Sequence, residues 1–155
     1  MRNNSDYVNV RPARTADIPS LSNLLTDLFA IESDFNPDIE KQGSGLSMLL
    51  NDPSGGSLVL VASVDGNVIG MATVQTLVST AEGGRVGLVE DVIVAREFRG
   101  RGIGAMLLDR IDEWSRAQKL ALLQLLADVE NRPALDFYSS RGWSSTRLIC
   151  MRKMF

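Results

Sequence analysis

Apolar and β-branched residues crowd into Leu88-Val89-Glu90-Asp91-Val92-Ile93-Val94, which predicts a largely buried strand. Shortly afterwards the period changes. Ile103, Met106, Leu107, Ile111 and Trp114 recur at three- and four-residue spacing, the signature of an amphipathic helix. Toward the amino end, Val8 to Pro12 reads as a short strand with Pro12 near its close. Ile18, Leu21, Leu24, Leu25 and Leu28 then form a helical stripe, with Thr15 or Asp17 as cap and Pro19 in the first turn. An acidic, irregular stretch from Ile31 to Glu40 precedes a weaker helix around Leu46 to Leu50 and a loop over Asn51 to Gly56. Strands over Leu58 to Val64 and Val68 to Val78 are joined by Asp65-Gly66-Asn67, a tight hairpin signal, and Ala81 to Gly84 turns the chain into the strand ending at Val94.

Beyond the amphipathic helix, Leu120 to Ala127 lacks β-branched residues and has helical propensity. Its position between a helix and a capping signal, and its length, instead predict a buried parallel strand. Asn131 caps a following short helix, with Pro133 in its first turn and Gly142 just past its end. A final strand is expected around Leu148-Ile149-Cys150-Met151. The fold class is therefore α/β with a mixed sheet: an antiparallel meander beside a parallel strand–helix–strand crossover.

The 155 residues suit one domain, 1–155, with a single core. A net charge of −3 gives no footprint for nucleic acid, and no apolar run is long enough to span a membrane. The opening residues lack a signal-peptide core, so cytoplasm is the expected location. Cys150 is the single cysteine, which excludes an internal disulfide and predicts a buried structural thiol. The chain contains no histidine. Ser–His–Asp and Cys–His mechanisms and His-ligated zinc are thereby excluded, no metal is expected, and acid–base work falls to carboxylates, tyrosine, lysine, backbone or water.

Arg99-Gly100-Arg101-Gly102-Ile103-Gly104 joins the strand ending at Val94 to its helix. Glycines permit close backbone approach, a helix start presents N–H groups and partial positive charge, and arginines add forked donors. Such a loop suits a phosphate group; the plainer reading is a tight turn with solvated arginines. Asn131 and Tyr138 stand two helical turns apart on nearly one face, after the carboxyl end of the presumed parallel strand. Tyr138 is either a proton donor or an aromatic packed on the core, a task that Phe137 beside it can also perform.

Val92-Ile93-Val94 followed by Arg99 to Gly104 resembles the signature motif of the GNAT superfamily of N-acetyltransferases. Asn131-Arg132-Pro133-Ala134-Leu135-Asp136-Phe137-Tyr138, closed by Gly142-Trp143, is similar to the superfamily's second motif, and Val10-Arg11-Pro12-Ala13 with Asp17 to its usual start. The resemblance implies acetyl-CoA as co-substrate and transfer of acetyl to an amine, small and cationic or on a protein. It implies a bulged fourth strand splayed from the fifth. Backbone groups at Val92, Ile93 and Val94 would meet the pantetheine arm, and a backbone N–H there would polarise the thioester carbonyl. The pyrophosphate would sit on the loop from Arg99 through Gly100, Arg101, Gly102, Ile103 and Gly104 to Ala105. Asn131 would bond the pantetheine arm and Tyr138 would protonate the departing thiolate.

The adjacent Glu90 and Asp91 resemble the acidic pair of diamine and polyamine acetyltransferases. By strand parity Glu90 goes with Val92 and Val94, so Glu90 is the expected base or water-relay partner, with Asp91 second; the alternative is a strand carboxylate held by a neighbour. Asp27, Glu32, Asp34, Asp38 and Glu40 would attract a cationic amine or simply form a solvated surface. The tail after Trp143 is short for the family's last hairpin and leaves room for a homodimer. Two rivals stand beside this reading: a non-catalytic acyl-CoA sensor, and a dinucleotide-binding oxidoreductase suggested by the Gly-x-Gly-x-x-Ala form of Gly100 to Ala105.

Overall fold

Asp65 and Gly66 both adopt positive φ, 48° and 81°, as a two-residue hairpin turn requires for strands of right-handed twist. This turn joins β2 (Ser57–Val64) to β3 (Asn67–Ser79), the centre of a five-stranded sheet ordered β1-β2-β3-β4-β5. The remaining strands are β1 (Asn9–Pro12), β4 (Gly84–Val94) and β5 (Leu123–Leu125). The computed structural model describes residues 7–32 and 34–155, in two units that divide between Gln124 and Leu125.

In the first unit, β1 to β4 pair antiparallel with their sequence neighbours, and both sheet faces are covered. On one face Val59, Val61, Met71 and Ile93 pack with Leu21, Leu24 and Leu25 of α1 (Ile18–Ile31) and Leu46 of α2 (Ile39–Leu50). On the other, Gly70 brings the sheet close to Ile103 of α3 (Ile103–Ala117), where an added Cβ would stand 3.5 Å from Ile103 Cγ2. Ile103, Leu107, Leu108 and Ile111 form the buried stripe of α3. Met106, expected in that stripe, is exposed, and Leu108 takes the inward position because 3.6-residue geometry places it beside Leu107 and Ile111.

Helix α2 begins at Ile39, earlier than its apolar residues suggest, and replaces the end of the irregular stretch expected up to Glu40. Its start is set by polar contacts. The Asp38 carboxylate accepts from the backbone N–H groups of Glu40 and Lys41, and buried Gln42 donates to the Ser22 carbonyl (2.7 Å) and Thr26 hydroxyl (3.0 Å) of α1. Gly43 and Gly45 lower the helical propensity of α2.

Strand β5 is shorter than the expected Leu120 to Ala127. Its approach pairs parallel to the first residues of β4: Ala121 N–H donates to Arg85 O and Gly87 N–H to Leu122 O, both at 2.9 Å. The parallel crossover through α3 is thus present, whereas four antiparallel-paired strands exclude the doubly wound parallel sheet of a dinucleotide-binding oxidoreductase.

The second unit holds α4 (Arg132–Ser140), capped by Asn131, whose side chain accepts from Ala134 N–H at 3.2 Å. Gly142 ends it with φ 86°. The expected final strand is not formed: Ser144 to Phe155 run without regular structure, and Cys150 is exposed rather than buried. Apolar character alone predicts a strand only where a neighbour accepts its hydrogen bonds. Among the described residues, no helix is long and apolar enough to cross a membrane.

Candidate active site

After β4 the chain makes one tight turn over Arg96–Phe98 and enters α3 through Gly100 and Gly102, with φ of 75° and 79°. A Cβ at either glycine would meet nothing within 4 Å, so conformation rather than crowding demands glycine here. Gly102 occupies the cap position of α3 and no side chain closes the helix start. The N–H groups of Ile103, Gly104 and Ala105 precede the first helical bond, Met106 N–H to Gly102 O at 3.1 Å, and point along the axis with the positive end of the helix dipole.

Both arginines brace this loop. Arg99 Nε donates to the Val94 carbonyl at 2.8 Å, and Arg101 donates to the Glu97 carbonyl at 3.1 Å while lying 5.1 Å above the Phe98 ring. Neither is merely solvated, and both keep their charge beside the open helix start. These are the features a diphosphate requires: outward N–H donors, a close backbone and fixed positive charge.

The carboxylates lie on β4, where register with β3 breaks. Ala72 pairs with Val92 and Val74 with Val89, so Thr73 alone faces both Glu90 and Asp91. That two-against-one count is a β-bulge. The Thr73 hydroxyl donates to Asp91 Oδ2 at 2.8 Å and accepts from the Asp91 N–H at 3.1 Å. Gln75, two residues from Thr73 and therefore on its face, donates to Glu90 Oε2 at 3.4 Å. The bulge thus turns both carboxylates to one face, that of α1 and α2, and the simple parity that separated them does not apply.

Their environments differ. Glu90 is exposed, whereas Asp91 is half-buried beside the fully buried Thr73. Burial pushes the Asp91 carboxyl up to about 6, the Thr73 hydrogen bond opposes the rise, and the negative charges of Glu90 and Glu32 add to it. Of the acidic residues around the end of α1, Glu32 is half-buried and acts electrostatically on Asp91. Asp38 is engaged as the α2 cap, and Asp27, Asp34 and Glu40 are exposed. Asp17, at the start of α1, is held by Arg11 through two bonds of 2.8 and 2.9 Å and by Arg14 N–H, and these hold its carboxyl below the usual range.

In the second unit, Asn131 and Tyr138 are both half-buried at the two ends of the α4 segment. The Tyr138 ring packs between Phe137, at 5.3 Å, and Trp143, at 5.9 Å edge-on, and its carbonyl accepts from Trp143 N–H. The Gly142-Trp143 turn therefore buttresses the tyrosine. Thr73 is the residue that sequence reasoning missed. Nothing near it in the chain marks it, and its role appears only when β3 is laid against β4.

The acetyltransferase (GNAT) family matches residues 19–143. The chain belongs to this family. An N-acetyltransferase of Archaeoglobus fulgidus is 33% identical over 84 residues, covering 54% of this chain and 57% of that protein. The aminoalkylphosphonate N-acetyltransferase of Salmonella typhimurium is 26% identical over 149 residues, covering 94% of this chain and 93% of that enzyme. Among solved structures, an aminoglycoside N-acetyltransferase in complex with CoA superposes with a TM-score of 0.84 over 99% of both chains at 18% identity, a likeness of fold. The chain spans about half the length of two archaeal relatives, 40% and 57% respectively.

Proposed function

We propose that this protein transfers acetyl from acetyl-CoA to a small primary amine by direct attack of the amine on the thioester. The observation that carries the reading is the uncapped, glycine-entered start of α3, one short turn beyond a bulged strand that bears a half-buried carboxylate. GNAT family membership and the relatives named for N-acetylation support it. Bound acetyl-CoA supplies an activated acyl thioester. The N–H groups from Gly100 to Ala105, with Arg99 and Arg101, hold its diphosphate. Backbone groups of Val92, Ile93 and Val94 align the pantetheine arm, and an N–H of this stretch stabilises negative charge building on the carbonyl oxygen. Asn131 adds a side-chain donor to the arm.

The sequence favoured Glu90 as base; we assign the role to Asp91. A carboxylate titrating near 6 is ionised at neutral pH yet basic enough to relay a proton from an ammonium, directly or through water. Exposed Glu90 and half-buried Glu32 then favour a cationic acceptor by adding negative charge to the same face. Tyr138 protonates the departing thiolate, phenols being among the side-chain groups that serve as general acids.

The test is acetyl-CoA-driven thiol release with a panel of amines, wild type against Tyr138→Phe. A cationic amine should accelerate release, and the variant should lose about 10²-fold in kcat, the lower range for loss of a general acid. Tight CoA binding with no responsive amine would establish the acyl-CoA sensor instead. An unimpaired Tyr138→Phe enzyme would leave acetyl transfer standing and reject the tyrosine as acid.

A further inference from the structure

Arg101 stands between Gly100 and Gly102, both at left-handed φ, so neither chain neighbour has a side chain to restrain it. Arg99 differs, its Nε being tied at 2.8 Å to the Val94 carbonyl at the end of β4. A long exposed side chain that samples its rotamers loses that freedom when it grips an anion, and the loss is subtracted from affinity. Holding the guanidinium in place beforehand removes much of that cost. The turn Arg96–Phe98 supplies such a hold from outside the glycine pair. The Phe98 ring centre lies 5.1 Å from the Arg101 guanidinium carbon, and the Glu97 carbonyl accepts from Arg101 Nη2 at 3.1 Å.

We propose that Phe98 is a positioning residue for CoA, its ring presenting the Arg101 guanidinium to the diphosphate. This role rests on the diphosphate lying on the loop from Arg99 to Ala105. The setting of the ring fits the task. Phe98 is half-buried and lines an open cavity of about 410 Å³ with Val64, Val68, Ile69 and Ala95, so the core does not close around it. Its backbone is nevertheless fixed. Phe98 N–H donates to Ala95 O at 2.9 Å, and Ala95 N–H donates to Ile69 O of β3 at 2.8 Å. A line of contacts therefore runs from the sheet through Ala95 and Phe98 to the guanidinium. A cation over an aromatic face is held without engaging any of its N–H donors, so the ring can orient the fork and leave its donors to an anion.

Calorimetric titration with CoA tests this role without calling on acetyl transfer. Phe98→Leu keeps the apolar bulk and removes the π face. It should weaken CoA binding by about three- to tenfold, the range for losing a cation–π contact and a pre-ordered side chain. Phe98→Tyr keeps the face and should stay within about twofold of the wild type. Arg101→Gln should cost at least as much as Phe98→Leu, and adding Phe98→Leu to it should cost under about twofold more, because the ring acts through the guanidinium. An equal loss from Phe98→Leu with and without Arg101→Gln overturns the proposal and makes the ring a structural part of the loop. So does a Phe98→Leu protein that binds CoA as the wild type does while Arg101→Gln binds weakly. If Arg101→Gln binds CoA at full strength, the diphosphate assignment of Arg101 fails together with the proposal. One measurement on the wild type decides the matter even where a variant fails to fold. The Arg101 side-chain protons, assigned by through-bond NMR from its backbone, should be shifted upfield of their unfolded-chain positions by the Phe98 ring. Unshifted protons would show that the ring does not hold the guanidinium, and would overturn the proposal.

Discussion

The entry to α3 and the bulge on β4 both depart from regular backbone, and they are built in opposite ways. The entry to α3 takes its shape from its own residues: Gly100 and Gly102 adopt left-handed φ with no neighbour pressing on either. The bulge at Glu90 and Asp91 takes its shape from another strand, where one threonine faces two residues. A site built locally tolerates change around it but no change of its own residues. A site built by pairing can be altered from a residue far away in sequence. Substitutions at the two kinds of position should therefore damage different properties.

The largest effect should come from the bulge. Asp91→Asn removes the proton acceptor and should lower kcat/KM by about 10²–10⁴-fold, the range for loss of a positioned general base. Glu90→Gln, on the same face but exposed, should cost only a few-fold and mainly in KM for a cationic amine. The rate of the wild type should rise with pH through about 6 as Asp91 ionises, and Asp91→Asn should abolish that limb. Steady-state kinetics of both variants across pH 5–8 decide it. Equal losses in the two would restore Glu90 as the base.

At the glycine entry the expected loss is of binding rather than chemistry. A side chain forced into left-handed φ costs about 1–2 kcal/mol, so Gly102→Val should weaken CoA binding by about tenfold or more, with kcat at saturation less affected. Gly45→Ala in α2 is the control. Its added Cβ also meets nothing, its φ is ordinary, and CoA affinity should be unchanged. Calorimetric titration with CoA separates the two. An unweakened Gly102→Val protein would mean that left-handed φ at Gly102 is not required for CoA binding.

How much was legible in the chain follows the same division. Features fixed by neighbours in sequence were readable: the Asp65-Gly66 turn, the glycine entry to α3, and the Asn131 cap with its Gly142 stop. Features fixed by partners distant in sequence were not. The start of α2 depends on Gln42 reaching α1, and its glycines argue against it locally. The lengths of β5 and of the expected last strand depend on which edges are available to pair. Strand parity ranked Glu90 above Asp91 because alternation holds only where residues pair one to one, and Thr73 breaks that count.

The smallest predicted change tests whether the distant strand tunes the site as well as shaping it. Thr73 is fully buried, and its hydroxyl donates to Asp91 Oδ2, favouring the ionised carboxylate against burial and against the charges of Glu90 and Glu32. Thr73→Val keeps the branched shape and deletes the donor. The Asp91 carboxyl should then titrate higher, so the pH–rate inflection should move up from about 6. The sign fixes where the loss appears: activity should fall at pH 5.5–6.5, where more of the carboxylate becomes protonated, and recover by pH 8. Thr73→Ser keeps the hydroxyl and should keep the inflection. A merely structural threonine would give a loss of equal size at every pH in both variants. A downward shift would place the proton acceptor on a group other than Asp91.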